Sequence, residues 1–470
     1  MTRLTRRQFV VGGAGVLAAA GGIYELVDRF ARAPTRQAVR RLPEQHVLPG
    51  LRVVTDNHVE VLVPPLHNAV LTGRLTVGES GKGVRSAQDE LESALAGLEE
   101  GLDHSPAGLG VTVAWGLPYF RRYVPGPAAR NLPVDLRATE AAGRQVQALI
   151  DAVRFPSDPA DVRLEENDVV FFFRGDRLEH VDLGIEAVRG LGGLLEPTSV
   201  RRGFAGGGFG GGQSLPKRMA LAAGVPGAQL IPETAELFLG FTSTQKAGLG
   251  PLLIANHETL PGYTDQWPDG YFRGGTAMHL SHILEDVEAW YLNFDFQERI
   301  DTVFRPGERV PSGTQTVRQA PEDVSTAGRV VRDFHRSGGI GHSASIQPSS
   351  RLQADVTGRD GAQYPKGTAI PQRADFNTLD NPFAWTSRPE QDGWSPQPAA
   401  GVHFVVFNPT SDDFHRNRLA MDGRLPDGTR LPIDPRDRGQ GINSVLRTTH
   451  RQNFLVPPRK HRSFPLAELL

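Results

Sequence analysis

His342 is the residue in this chain best placed by its neighbours to do chemistry. It stands between Gly341 and Ser343 in the stretch from Arg332 to Phe376, RDFHRSGGIGHSASIQPSSRLQADVTGRDGAQYPKGTAIPQRADF. Imidazole is a common axial ligand of haem iron, and small flanking residues let a ring come close to a flat, bulky group. A second constellation is His279 and His282 with Glu285 or Asp286. These would suit zinc or iron on one helical face, but the segment GGTAMHLSHIL reads as a strand. On a strand, the two rings point to opposite faces and cannot share a metal. The Gly-rich run Gly203–Gly212 lacks the Lys-Ser/Thr of a phosphate cradle and reads as a surface loop.

The elements that must hold His342 lie in a chain of 470 residues with net charge -2, 22% charged and 39% apolar residues. That is ample material for a core and gives no basis for nucleic acid as a partner. Fifty-three Gly and 36 Pro predict long irregular connections. Cysteine is absent, which excludes disulfides, thiolate nucleophiles, iron–sulfur clusters and cysteine–zinc sites. Thr5-Arg6-Arg7-Gln8-Phe9-Val10 and the short Gly/Ala-rich apolar run after it form a twin-arginine signal pattern, with Ala31-Arg32-Ala33 as the cleavage site. Residues 1–33 are accordingly read as a signal peptide handled by the twin-arginine export machinery, and the protein as extracytoplasmic. An uncleaved membrane tether is the alternative reading of the same run.

Residues 34–50 read as a Pro- and Arg-rich linker. Strands are expected over Leu51–Val63, Leu109–Trp115, Asp168–Arg174, Gly274–Leu284 (running into a helix) and Val402–Phe407. Helices are expected over Ser86–Leu102, Val181–Leu191 and Ser411–Met421. The pattern is α+β, with a division near residue 232 into an N-terminal unit, 51–232, and a C-terminal unit, 233–470.

Taken in order, these pieces resemble the dye-decolourising peroxidase family. The resemblance runs through Gly110-Val111-Thr112-Val113-Ala114-Trp115-Gly116, Asp168-Val169-Val170-Phe171, Arg202-Gly203-Phe204, Gly274-Gly275-Thr276, Trp290, Gln297-Glu298-Arg299, His342 and GVHFVVFNPTSDDFHRNRLAM from Gly401. It implies two ferredoxin-like domains forming an α+β barrel, haem b as cofactor with His342 on the iron, and peroxide with a small organic reductant as substrates. A homo-oligomer is left open.

The chain departs from the family at the distal motifs. Gly-Phe-x-Asp-Gly reads Gly240-Phe241-Thr242-Ser243-Thr244, so Ser243 stands where the distal acid belongs. Gln372 stands at the distal arginine position, with Arg373 one place late. His282 lies on the strand that normally sends arginines to the haem propionates. The acid behind the axial histidine aligns with Thr410, with Asp412 and Asp413 out of register. Splitting peroxide needs a base and a cation above the iron, so the resemblance with these changes implies weak or altered activity. Ser243→Asp with Gln372→Arg is expected to speed it. A haem-free member acting as a small-ligand-binding or cell-envelope interaction protein is the alternative.

Overall fold

A computed structural model describes residues 22–31, 42–56, 59–205, 207, 212–241, 254–311, 324–381 and 397–470. The twin-arginine motif and Ser243 lie outside them.

Eight strands carry the fold. In the first half, β1 (His67–Leu75), β2 (Gly110–Trp115), β3 (Val169–Gly175) and β4 (Leu195–Phe204) lie in the order β4-β1-β3-β2. In the second, β5 (Thr276–Glu285), β6 (Phe376–Thr378), β7 (Gly401–Asn408) and β8 (Leu446–Val456) lie in the order β6-β7-β5-β8. Each half has antiparallel neighbours and the 4-1-3-2 order of a ferredoxin-like unit. The halves meet edge to edge at Asn377 with Phe204 and at Leu455 with Trp115, which closes the eight strands into a barrel and removes open edges. Gly203 is required at the first junction, because a Cβ there would lie 2.2 Å from the Asn377 carbonyl oxygen. This is the expected α+β fold class with two ferredoxin-like halves.

Alternation along the strands divides the side chains. Val70, Phe172, Met278, Leu280, Val405, Phe407 and Phe454 pack inside the barrel. On the outer face of the first half, Leu71, Val113, Phe171 and Phe173 meet α2 (Gly81–Gly101) and α3 (Leu178–Arg189). Helix α2 forms because Ser80 caps Gly83 N and because Val84, Ala87, Leu91 and Leu95 recur at helical spacing toward the sheet. The outer face of the second half is covered by α4 (Phe296–Val303), α5 (His342–Ser350) and α6 (Ser411–Met421).

Two stretches expected to lie outside the folded body pack onto it. Helix α1 (Glu25–Phe30) belongs to the segment read as a signal peptide, yet Tyr24 and Val27 are buried against Phe204 and Leu215. The Tyr24 hydroxyl donates to Asp380 Oδ1 at 2.8 Å and accepts from Leu379 N at 3.1 Å. Asp28 pairs with His67 Nε2 at 2.7 Å. Residues 44–48, from the stretch read as a linker, close one end of the barrel: Gln45 Oε1 accepts from Val113 N at 2.9 Å, and Gln45 Nε2 donates to the Pro457 carbonyl at 2.8 Å. Tyr24→Phe should lower unfolding free energy by about 1–3 kcal/mol in urea melts, since it removes the hydroxyl that donates to Asp380 Oδ1 and accepts from Leu379 N.

Candidate functional site

The covered face of the second half holds a half-open cavity of about 220 Å³ between β5, β7, β8 and helices α5 and α6. Its walls are largely apolar, with Phe241, Ile283, Phe304, Ile346, Phe404 and Leu446 among them. His342 opens α5 and lines this cavity. Gly341 allows that placement, though by a different route from the one expected. A Cβ at 341 would lie 2.3 Å from the Phe304 carbonyl oxygen, so the small residue makes room for backbone rather than for a ligand.

Burial, with Arg373 and Arg418 nearby, lowers the His342 pKa to about 4. The ring is therefore neutral at physiological pH and keeps a lone pair for ligation. Its Nδ1 is buried and has no hydrogen-bond partner. Asp413, read as out of register for the place behind the ring, is turned elsewhere: its Oδ2 accepts from Thr410 N at 3.1 Å, and its Oδ1 takes Arg137 at 2.7 Å. Arg418, which lines the cavity, is held by Asp422 at 2.7 Å and Asp158 at 3.3 Å.

The sequence-derived site residues part company here. Arg373 pairs with Val406 on the neighbouring strand, and both line the cavity. Gln372 pairs with Phe407 and faces the barrel interior, where its amide donates to the His46 carbonyl at 3.1 Å. The strand register therefore gives the cavity a guanidinium without a bulge, and Gln372 is not among its lining residues. His282 is also inside the barrel, bonded to Thr449 Oγ1 at 2.6 Å and to the Asp380 carbonyl at 3.2 Å. Its strand neighbours Ser281 and Ile283 face the cavity, so His282 cannot reach a ligand there. His279 points outward and stacks on Phe414 with ring centroids 3.4 Å apart. No cluster of three or more metal-ligating side chains occurs among the described residues.

Two carboxyls line the cavity: Asp375, which is not among the sequence-derived candidates, and Glu285, which the sequence offers only as a metal ligand beside His279 and His282. Asp375, two residues beyond Arg373, stands on the same side of the strand, with Oδ1 at 3.7 Å from Arg373 Nε. Glu285 ends β5, and burial together with Asp375 raises its pKa to about 8. Period-two spacing from Arg373 is the signal that points to Asp375; the local sequence names Glu285 only with His279 and His282, and its place in this cavity comes from long-range packing. Because the folded pKa lies above the ordinary value of 4.5, Glu285 adds stability at low pH that fades as pH rises through about 8. Glu285→Gln should therefore gain stability over the wild type between pH 4.5 and 8, by at most ~1.4 kcal/mol per pH unit. Melting temperatures across that range read the effect.

A family model described as a family of unknown function, DUF7405, matches residues 65–458. No curated protein matches the chain. Solved structures similar to it are dyp-type peroxidases. One from Shewanella oneidensis is 13% identical, with TM-score 0.49, and covers 89% of this chain and 99% of its own. The encapsulated dyp-type peroxidase of Mycobacterium smegmatis is 14% identical, with TM-score 0.48, covering 86% of this chain and 96% of its own. A DypB variant from Rhodococcus jostii in complex with heme is 15% identical, with TM-score 0.48 and the same coverage.

Proposed function

We propose, from the premise that the chain belongs to the DUF7405 family, that it is an exported haem-binding protein with slow peroxide-dependent redox activity. The observation that carries this reading is the neutral His342 ring lining an apolar cavity with a buried Nδ1 that has no partner. The donor chemistry fits haem: an imidazole for the iron, apolar walls for the macrocycle, and Arg351 for carboxylates. Bound haem would supply the redox-active iron that peroxide chemistry requires.

The chain's own groups set the rate. Arg373 offers charge-assisted donors to an oxygen ligand in the cavity. Asp375 beside it offers acceptor oxygens, and Glu285 holds its proton at neutral pH and can release it to the cavity. The side behind His342 is the weak point. No acid meets Nδ1 of the imidazole, so the electron donation that favours oxidised iron is reduced. Slow turnover follows from that imbalance.

Cavity size supports a second reading. At about 220 Å³ this half-open space is below the ~300–1,000 Å³ usual for small-molecule sites, so a macrocycle must widen it or leave an edge outside. A smaller apolar ligand without iron is the alternative. Folding the protein with haem available and recording its absorption spectrum separates the two: a Soret band with one haem per chain supports the first, and colourless protein the second.

Export is part of the same proposal, with one adjustment to the N-terminus. A cut after Ala33 would remove Tyr24 and Asp28 from their buried contacts. The exported protein is expected to retain Gly22–Phe30, with the cut before it or absent. N-terminal sequencing of the exported form tests this, and a mature end at Pro34 would overturn it.

A further inference from the structure

We propose that the barrel end closed by residues 44–48 holds a small monovalent carboxylate-type anion on Arg174. The cavity beside His342 lies on the outer face of the second half-sheet, whereas Arg174 projects from β3 into the barrel next to Phe172, its guanidinium 4.9 Å from that ring. Arg174 is 4% exposed, and burial alone lowers its pKa, to about 10, so it stays charged. No carboxylate among the described residues pairs with it. Asp176, two residues along the same strand face, has Oδ1 turned to the Leu66 amide at 3.1 Å. An isolated charge withdrawn from water is costly, and folded chains normally compensate it.

The geometry of what is missing points to the occupant. The donors without partners are Nε and Nη2, which lie on one edge of the guanidinium. That edge is the one by which this chain grips carboxylates elsewhere. Arg462 Nε and Nη2 hold Glu92 at 3.1 and 2.8 Å, and Arg436 holds Asp434 at 3.2 and 3.1 Å in the same way. Two parallel N–H groups match two oxygens of a planar anion.

The surroundings set its size and charge. His46 comes from the closing segment and is fully buried near Arg174 and His257, with neither ring nitrogen bonded. Burial and these neighbours lower its pKa to about 3, so it is neutral and offers one N–H. Gln372 Oε1 and His257 Nε2 are acceptors without partners, and they disfavour more than one negative charge. A small planar carboxylate such as formate is the class of anion that matches the fork, with the His46 N–H as a further donor nearby.

The test uses the full chain and sodium formate, with sodium chloride at matched ionic strength as the reference. Wild-type melting temperature should rise saturably with formate beyond the chloride control, and ¹³C-formate should show saturable line broadening with the protein. Arg174→Lys keeps the charge without the fork and should bind about tenfold more weakly. Arg174→Met removes the isolated charge, so it should fold and lose the formate dependence. A wild type that responds to formate and chloride alike, or an Arg174→Met protein with the wild-type response, overturns the proposal. The line-broadening measurement on wild type decides the matter by itself if Arg174→Met fails to fold.

Discussion

His342→Ala protein, produced with haem available, is expected to show no Soret band while keeping the wild-type fold. The ring lines the cavity and makes no hydrogen bond through Nδ1, so its removal withdraws a ligand without breaking a network. The alanine still starts α5, whose first turn is anchored by Ser345 N on the Gly341 carbonyl at 2.9 Å. Loss of an axial imidazole removes the bond that fixes haem in place, and the remaining apolar contacts give only loose, non-stoichiometric uptake. Titration with haemin followed near the Soret maximum, with circular dichroism as the check on fold, reads both quantities. An unchanged band in His342→Ala would show that another group ligates the iron. Added imidazole should restore part of the band in the variant, because the space vacated by the ring is the size of the free ligand.

The reasons why parts of this arrangement are legible in the sequence are physical. Strands β2 and β7 stand out as short apolar runs bounded by turn residues, and helix α6 by the Thr410–Asp413 capping box at its start. Strand β8, LRTTHRQNFLV, carries no such pattern. Its Arg451 is buried on Asp158 at 2.6 Å, and its Gln452 binds Asn167, so polar residues serve as core there. Residues 44–48 look like linker because they lie within the Pro- and Arg-rich stretch 34–50, yet Gln45 completes barrel hydrogen bonds contributed by distant strands. At the site, His342 is visible through its neighbours. Arg418 and Glu285 reach the cavity only through long-range packing, which no local window contains. The distinction between Gln372 and Arg373 rests on a register of one residue, and a shift of one reverses every side chain.

That register sets opposite expectations for two adjacent substitutions. Arg373→Leu removes the guanidinium from the cavity while leaving the apolar walls and His342 in place. If haem is bound there, peroxide consumption should fall on the order of a hundred- to a thousandfold, the usual effect of deleting one preorganised donor, with the Soret band retained. The His342 pKa should rise, since one of the two cations that depress it is gone. Gln372→Arg should give no gain in rate, contrary to what the family position suggests. Its side chain enters the barrel, where the Gln372 amide now meets the His46 carbonyl and Arg174 is already an unpaired cation. A second buried cation there should destabilise the fold by several kcal/mol, read as a drop in the urea midpoint at unchanged slope. Peroxide consumption and urea melts on the two variants give four readings. A faster Gln372→Arg protein with wild-type stability would mean that this strand sits one residue out of register in solution, with Gln372 facing His342.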